Sequence, residues 1–383
     1  MSAGHAKQLQ VAIVGAGASG LMAARELLTH DAVERIDLFD QAPEPWGLIG
    51  HGTAPDHPDQ ARQMTILGST LADPRVQFHP ERRLGADLRR EQLRTEHDAV
   101  IYATGAPRQR PLNVPGEDLP GSIPARDFFG WYTGRPDAAQ VDLGGVQQVA
   151  VVGIGDVGID AARILLKDPA GFEKTSMPAA ARVELGRHRV RQVTIVVRRG
   201  PRNADVKPPD LAELVNLPGV LARVDQTQLG LHATDLDAKT RANLEVLAAI
   251  PRRSVPKVDA ELRILFWHRP VAVLGDSRVA GLRLEESRLA ADGTPVGTGT
   301  HQDIPAQLVI AATGFIVDPI PGLPYDELHH VVPTLDDRLV SPAGEVQQHE
   351  YVTGWAKRGA KGGFGTSRRD AAATVAHLIS DLS

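Results

Sequence analysis

The chain carries one short construction twice: an apolar strand, a glycine-rich turn and the start of a helix. LQVAIV at 9–14 runs into GAGASG, with Gly15, Gly17 and Gly20 in G-x-G-x-x-G register. QQVAVV at 147–152 runs into GIGDVG, with Gly153, Gly155 and Gly158 in the same register. The three glycines of such a loop permit a tight turn, close approach of the backbone to a pyrophosphate, and close packing of helix on strand. The helix N-terminus adds unpaired amides and the positive end of its dipole for an anion. Helical apolar spacing follows each loop, at 19–29 and 157–167, and an apolar strand follows each helix, at 35–40 and 192–197. Two βαβ units in 383 residues predict an α/β chain with two Rossmann-like dinucleotide-binding domains.

The strand ends after the two loops carry opposite charge. The first ends in Asp40, about 20 residues past the glycines, where an acid accepts hydrogen bonds from ribose hydroxyls. The second ends in VVRRGP, with Arg198 and Arg199. An acid there would repel a 2′-phosphate, whereas guanidinium groups bind one through charge-assisted, bidentate hydrogen bonds. The pattern predicts FAD at the first loop and NADP(H) at the second, with a solvated basic loop as the plain alternative for the arginines.

Two further strand-like runs, 98–102 and 307–311, both lead into the tripeptide ATG, at 103–105 and 312–314, and a closing helix is expected from 368 onward. Pro/Gly-rich stretches at 106–124 and 317–324 read as crossings between domains. The predicted organisation is a discontinuous FAD domain, 1–106 and 307–383, with the NADP domain, 107–306, inserted into it. The chain has no cysteine, which excludes disulfides, thiolate metal sites, cysteine-bound iron–sulfur clusters and a CxxC redox pair. No histidine cluster has metal-ligand spacing, so no metal site is expected. An electron-transferring chain of this composition must borrow an organic cofactor. The formal net charge of -5 argues against a nucleic-acid binder. The start MSAGHAKQLQ lacks the apolar stretch of a secretory signal, and no apolar run approaches the roughly 20 residues that span a bilayer. A cytoplasmic protein without membrane insertion is expected.

Beyond the two loops, the chain resembles the adrenodoxin reductase-like family of ferredoxin–NADP reductases, including its bacterial members. The resemblance covers about residues 9–382. It rests on GAGASG, EPWGLIGHGTAPDHP at 44–58, ATGAP at 103–107, NVPGEDLPGS at 113–122, FFGWY at 128–132, GIGDVGIDAARILL at 153–166, VVRRGP, PGLPYD at 321–326 and YVTGWAKRGAKGGFGT at 351–366. It implies an FAD enzyme that takes hydride from NADPH and passes single electrons to a ferredoxin-type iron–sulfur protein, as in systems that feed a haem monooxygenase. By the same resemblance, FAD contacts fall on Ser19, Asp40, Leu48, Trp355, Gly362, Gly363 and Phe364. NADP(H) contacts fall on Gly155, Asp156, Val157, Arg198, Arg199, Asp210 and Gly362. His57 and Glu213 match a family pair near the flavin and nicotinamide, which makes them the catalytic candidates; bracing of a loop is the plain alternative for His57.

Several positions depart from the family. Gly50 stands where an arginine is usual, Asp156 where many members carry asparagine, and Lys207, Pro208 and Pro209 alter the nicotinamide-side loop. Phe315–Ile316 replaces an aromatic and basic pair, and Arg82 an apolar residue near the adenine. Against the overall acidity, Arg182, Arg187, His188, Arg189, Arg191, Arg198, Arg199 and Arg202 concentrate positive charge, joined by Arg252–Arg253. Such a surface would steer an acidic ferredoxin. Two other functions stay open: NADPH-dependent reduction of a small molecule such as a quinone or free flavin, and a non-catalytic NADP(H)/FAD-binding sensor or scaffold.

Overall fold

The computed structural model describes residues 8–229 and 236–383. The chain forms two compact units, one comprising Met1–Thr53, His57–Arg108 and Phe315–Ser383, the other Ala54–Asp56 and Gln109–Gly314.

The first unit begins with β1 (Leu9–Val14), α1 (Ala18–Leu27) and β2 (Val33–Phe39), followed by α2 (Pro58–Leu71), β3 (Val76–His79) and β4 (Ala99–Tyr102). β1 lies between β4 and β2, parallel to both, and β3 follows β2. Every residue of β4 is buried, as expected of a parallel strand covered on both faces. On one face Leu21, Ala24 and Leu27 of α1 pack with Ala371, Val375 and Leu378 of the last helix. On the other, Val14, Phe39, Tyr102 and Val352 form a second apolar layer. The chain leaves β1 in one direction to β2 and returns on its other side as β4, so the sheet changes winding at the end of β1. Ligands of such sheets bind outside the strand ends at this switch point.

The second unit repeats this plan. In chain order it contains β5 (Ser122–Pro124), α3 (Ala125–Thr133), β6 (Gln148–Val152), α4 (Asp156–Leu166), β7 (Gln192–Val197), α5 (Pro208–Val215), β8 (Val220–Val224) and β9 (Ala260–Phe266). An antiparallel sheet follows, made of β10 (His268–Leu274), β11 (Gly281–Leu289) and β12 (Pro295–Pro305), and then β13 (Leu308–Ala311). The parallel sheet runs β5-β13-β6-β7-β9-β8, so β6 lies between β13 and β7 as β1 lies between β4 and β2. α3 is anchored by Phe128, Phe129, Trp131 and Tyr132, all buried in the main core of this unit.

The chain returns to the first unit, adding β14 (Val346–Val352) beside β4 and ending in α6 (Phe364–Leu382). The unit boundaries fall after Arg108 and Gly314, not after 106 and 306, because β13 pairs with β6 and completes the second sheet before the chain crosses back. Ala54–Asp56 also clusters with the second unit. α6 starts at Phe364, four residues before the expected 368. Among the described residues, no helix is long and apolar enough to cross a membrane, and no group of histidine and acidic side chains is placed to hold a metal ion.

Candidate functional site

In the first unit the glycine loop joins β1 to α1. Gly15 has φ +110°, and a Cβ on it would lie 2.3 Å from the Ala103 carbonyl oxygen; a Cβ on Gly20 would lie 1.8 Å from the Gly15 carbonyl. Side chains are therefore excluded at both positions, and the alanine of the first ATG explains one of them. Gly17 caps α1, and the nearest atom to a Cβ there would be the Gly47 Cα at 4.0 Å, so the amide-bearing helix end stays open. No acid occupies the first turn of α1. Asp40 accepts from the Ala16 amide at 2.6 Å and from the Ala42 amide at 2.8 Å. A carboxylate offers about four lone-pair sites, which leaves acceptors for sugar hydroxyls. Burial pushes the Asp40 carboxyl above its ordinary range, against the pull of the Ala42, Ala16 and Gln41 amides.

The remaining candidate FAD contacts of this unit gather around the same loop and the start of α6. Half-buried Ser19 meets the GWAKRG segment, since a Cβ on Gly354 would lie 2.1 Å from its Oγ. The Gly354 amide donates to Asp370 at 2.6 Å, and Asp370 also pairs with Lys357 and Arg358. Trp355 Nε1 donates to the Gly362 carbonyl at 3.1 Å and its ring stacks on Phe315, with centroids 6.1 Å apart. Gly363 caps α6 ahead of half-buried Phe364, and a Cβ on Gly363 would meet nothing within 4 Å. The fold does not itself demand glycine there, so the bare backbone is free to receive a planar ring. Leu48 is exposed on a short helix whose Gly50 leaves room for Trp46: a Cβ on Gly50 would lie 3.2 Å from the Trp46 Cβ. Trp46 holds φ +102°, with its amide donating to the Ala16 carbonyl at 2.9 Å. Arg82, exposed, is tied to the same strand end by its amide, which donates to the Asp40 carbonyl at 2.8 Å.

The second loop reproduces the first contact by contact. Gly153 has φ +121°, a Cβ on it would lie 2.2 Å from the Ala312 carbonyl of the second ATG, and a Cβ on Gly158 would lie 2.1 Å from the Gly153 carbonyl. Gly155 caps α4, followed by exposed Asp156 and half-buried Val157. Arg198 and Arg199 lie past the end of β7. Burial first, then Arg199 and Arg110, pull the Arg198 guanidinium below its ordinary value. Among the described residues no carboxylate bridges Arg110, Arg198 or Arg199, and Arg199 Nε is buried without a hydrogen-bond partner. Guanidinium groups crowded together without a counter-charge suit a dianionic phosphate. Asp210, on the first turn of α5, stands 3.6 Å from Lys207 Nζ.

His57 caps α2 in the first unit. Glu213, on α5 in the second, lies 3.6 Å from Arg163 and 3.7 Å from Lys167. The same two cations hold Asp56, the residue before His57 in the chain: Arg163 makes a bidentate pair with it, one arm at 2.9 Å, and Lys167 approaches to 2.7 Å. Burial raises the Asp56 carboxyl, yet the hydrogen bonds and charges of Arg163 and Lys167 hold it at about 2. In the basic stretch, Arg187, Arg189 and Arg191 are exposed. Arg253 is no surface charge, because its guanidinium donates to the carbonyls of Val215, Leu217 and Val220 and so caps the end of α5.

Sequence reasoning missed Arg110, whose amide donates to the Gly314 carbonyl at 2.9 Å and whose carbonyl accepts from the Thr313 hydroxyl. It also missed the buttress of the arginine loop. Ser287 Oγ donates to the Arg198 carbonyl at 2.7 Å, the Trp267 amide donates to the Arg199 carbonyl at 3.3 Å, and Gly200 must lack a side chain because its Cβ would lie 2.2 Å from the Trp267 ring. The sequence signals Arg110 only as an arginine lying in a Pro/Gly-rich stretch where the chain crosses from one unit to the other.

Residues 9–215 match the pyridine nucleotide-disulphide oxidoreductase family. The chain is 37% identical over 388 residues to the NADPH-ferredoxin reductase FprA of Mycobacterium tuberculosis, covering 97% of this chain and 84% of that protein. It is 33% identical over 396 residues to the mouse mitochondrial NADPH:adrenodoxin oxidoreductase, covering 98% and 79%. The solved structure of Mycobacterium tuberculosis FprA in complex with NADPH superimposes with a TM-score of 0.90 at 36% identity, over 98% of this chain and 85% of that one. A thioredoxin reductase from T. acidophilum shares the fold alone, with a TM-score of 0.54 at 18% identity. The chain belongs to the pyridine nucleotide-disulphide oxidoreductases and, within them, to the adrenodoxin reductase-like ferredoxin–NADP reductases.

Proposed function

We propose that the chain is an FAD-dependent NADPH–ferredoxin oxidoreductase, with FAD at the first glycine loop and NADP(H) at the second. The observation that carries this reading is one loop architecture built twice with opposite strand-end charge. Asp40 stands at the first, while Arg198 and Arg199, with Arg110 beside them, stand at the second. Asp40 accepts from the ribose of FAD, Gly17 and Ser19 receive its pyrophosphate on the open end of α1, and Leu48, Trp355, Gly362, Gly363 and Phe364 border its ring. The backbone amides of Gly155, Asp156 and Val157 receive the NADP pyrophosphate, the three arginines bind its 2′-phosphate, and Asp210 borders its nicotinamide side. Bound FAD supplies the conversion between a two-electron donor and a one-electron acceptor. His57 and Glu213 are the side chains we assign to the reacting end. Asp56, fixed in its ion-paired site, constrains the chain immediately before His57.

The acceptor is an acidic ferredoxin, drawn to the exposed arginines 187, 189 and 191. The protein is expected to be yellow, to bleach anaerobically with NADPH, and to reduce cytochrome c only when a ferredoxin is added, at a rate that falls steeply with salt. Bleaching without ferredoxin-dependent turnover would favour a small-molecule acceptor. A colourless protein that binds NADP(H) would favour a sensor.

A further inference from the structure

Two departures from the family, distant in sequence, meet in the structure. Asp156 is the first residue of α4, directly after the cap Gly155. An acid there suits the positive end of the helix dipole, but that end is also where the second glycine loop would receive a diphosphate. The carboxylate and the ligand compete for one electropositive site. The first loop has no such conflict, since α1 carries no acid in its first turn.

Lys207 Nζ lies 3.2 Å from Asp156 Oδ2 and 3.6 Å from Asp210 Oδ2. Its backbone is set by the third departure. Lys207 caps α5, Pro208 and Pro209 pre-form the first turn, and the Lys207 carbonyl accepts from the amides of Asp210 and Leu211, each at 3.1 Å. Two prolines after the lysine restrict the backbone from which its ammonium reaches Asp156. Burial lowers the Lys207 ammonium, while Asp156 and then Asp210 more than offset this and keep it above its ordinary value. The lysine therefore remains charged throughout the neutral range.

Building on the assignment of NADP(H) to this loop, we propose that Lys207 is the counter-charge of the diphosphate subsite. It screens Asp156, so that the loop keeps an acid at its helix terminus and still accepts a dianionic bridge. Asp156, Lys207 and the double proline are then one device.

The test compares NADP⁺, which carries the diphosphate, with 2′-AMP, which carries only the 2′-phosphate and adenosine. Both are titrated by calorimetry into wild type, Lys207→Gln, Asp156→Asn and the double variant. Lys207→Gln is expected to weaken NADP⁺ about tenfold and leave 2′-AMP within about twofold of wild type, since the arginines are untouched. Adding Asp156→Asn to Lys207→Gln is expected to restore NADP⁺ affinity to within about threefold of wild type, because the charge that needed screening is gone. Unchanged NADP⁺ affinity in Lys207→Gln, or a double variant as weak as Lys207→Gln alone, would overturn the proposal. Wild-type protein that binds neither ligand would instead overturn the assignment of NADP(H) to this loop, and the proposal with it.

Discussion

In the first glycine loop the Gly15 amide donates to the Phe39 carbonyl at 2.7 Å and the Ala103 amide to Val14 at 2.8 Å. In the second the Gly153 amide donates to Val196 and the Ala312 amide to Val152, both at 2.9 Å. The backbones of the two loops are thus built from the same contacts, while the side chains around them have opposite character. Asp40 reaches back into the first loop and bonds the Ala16 amide. Around the second, three arginines gather and an acid, Asp156, sits at the helix start with its own lysine. On the proposed assignment, general nucleotide binding resides in the glycines, and the choice of nucleotide in a few charges that can change without disturbing the turn.

The largest effects should come from the shared part. Gly15→Ala and Gly153→Ala each set a methyl group against a backbone carbonyl at a left-handed φ, at a cost of about 3 kcal/mol or more. The two loops predict different losses. Gly15→Ala should abolish retention of flavin colour, whereas Gly153→Ala should leave a yellow protein that no longer binds 2′-AMP. Loss of both ligands from either variant would show that the loops are not independent. The next effect tests the charges. Arg198→Ala with Arg199→Ala should raise KM for NADPH by about 100-fold, the equivalent of about 2.7 kcal/mol, and leave KM for NADH within a few-fold. Equal effects on both would mean that the pair does not read the 2′-phosphate.

The shared part was legible in the chain and much of the distinguishing part was not. Gly15, Gly17, Gly20 and their counterparts announce themselves by local spacing, and Asp40 and Arg198–Arg199 by their place at the ends of apolar strands. Both ATG tripeptides were visible, but their steric role emerges only when Ala103 and Ala312 are seen against Gly15 and Gly153. Arg110, Trp267 and Ser287 reach the arginine loop from separate strands and turns, so no periodicity links them to it. The Asp156–Lys207 pair spans two helix starts. The strand Leu308–Ala311 was recognisable as a strand, yet its sheet was not, because an all-buried pattern fits either unit. The three-stranded antiparallel sheet escaped for a related reason: along β11 buried residues come in adjacent pairs, not in the strict alternation of a half-exposed strand.

Acid should affect the two units in a definite order. Asp40 is pushed above the ordinary carboxylate range, so as pH falls it takes up a proton before ordinary carboxylates do and loses acceptor capacity toward the loop and, on the proposed assignment, the ribose. Flavin affinity is therefore present above that raised value and is lost on acidification through it. Asp56 is depressed to about 2, so its contribution to the second unit is full above the ordinary value of about 3.9 and is lost as pH falls toward 2. The shift corresponds to about 2 kcal/mol. Released FAD, followed by its fluorescence, should appear at a higher pH than acid unfolding of the protein, followed by circular dichroism. The reverse order would contradict the assigned roles of the two carboxylates.

The smallest effect tests whether the arginine loop needs the support that the first loop does without. Asp40 is tied to its own loop by its carboxylate, whereas the backbone of Arg198 and Arg199 is held from outside, which on the proposed assignment leaves their guanidinium groups for a phosphate. Ser287 does this with one hydrogen bond to the Arg198 carbonyl. Ser287 is buried, at 6% exposure, so alanine there leaves that carbonyl short of a partner and costs about 1 kcal/mol. If the bond positions the arginines, Ser287→Ala should weaken 2′-AMP a few-fold with flavin binding and the flavin spectrum unchanged. A stability loss of the same size with 2′-AMP affinity intact would mean that the serine braces the sheet alone, and that the arginines find the phosphate without it.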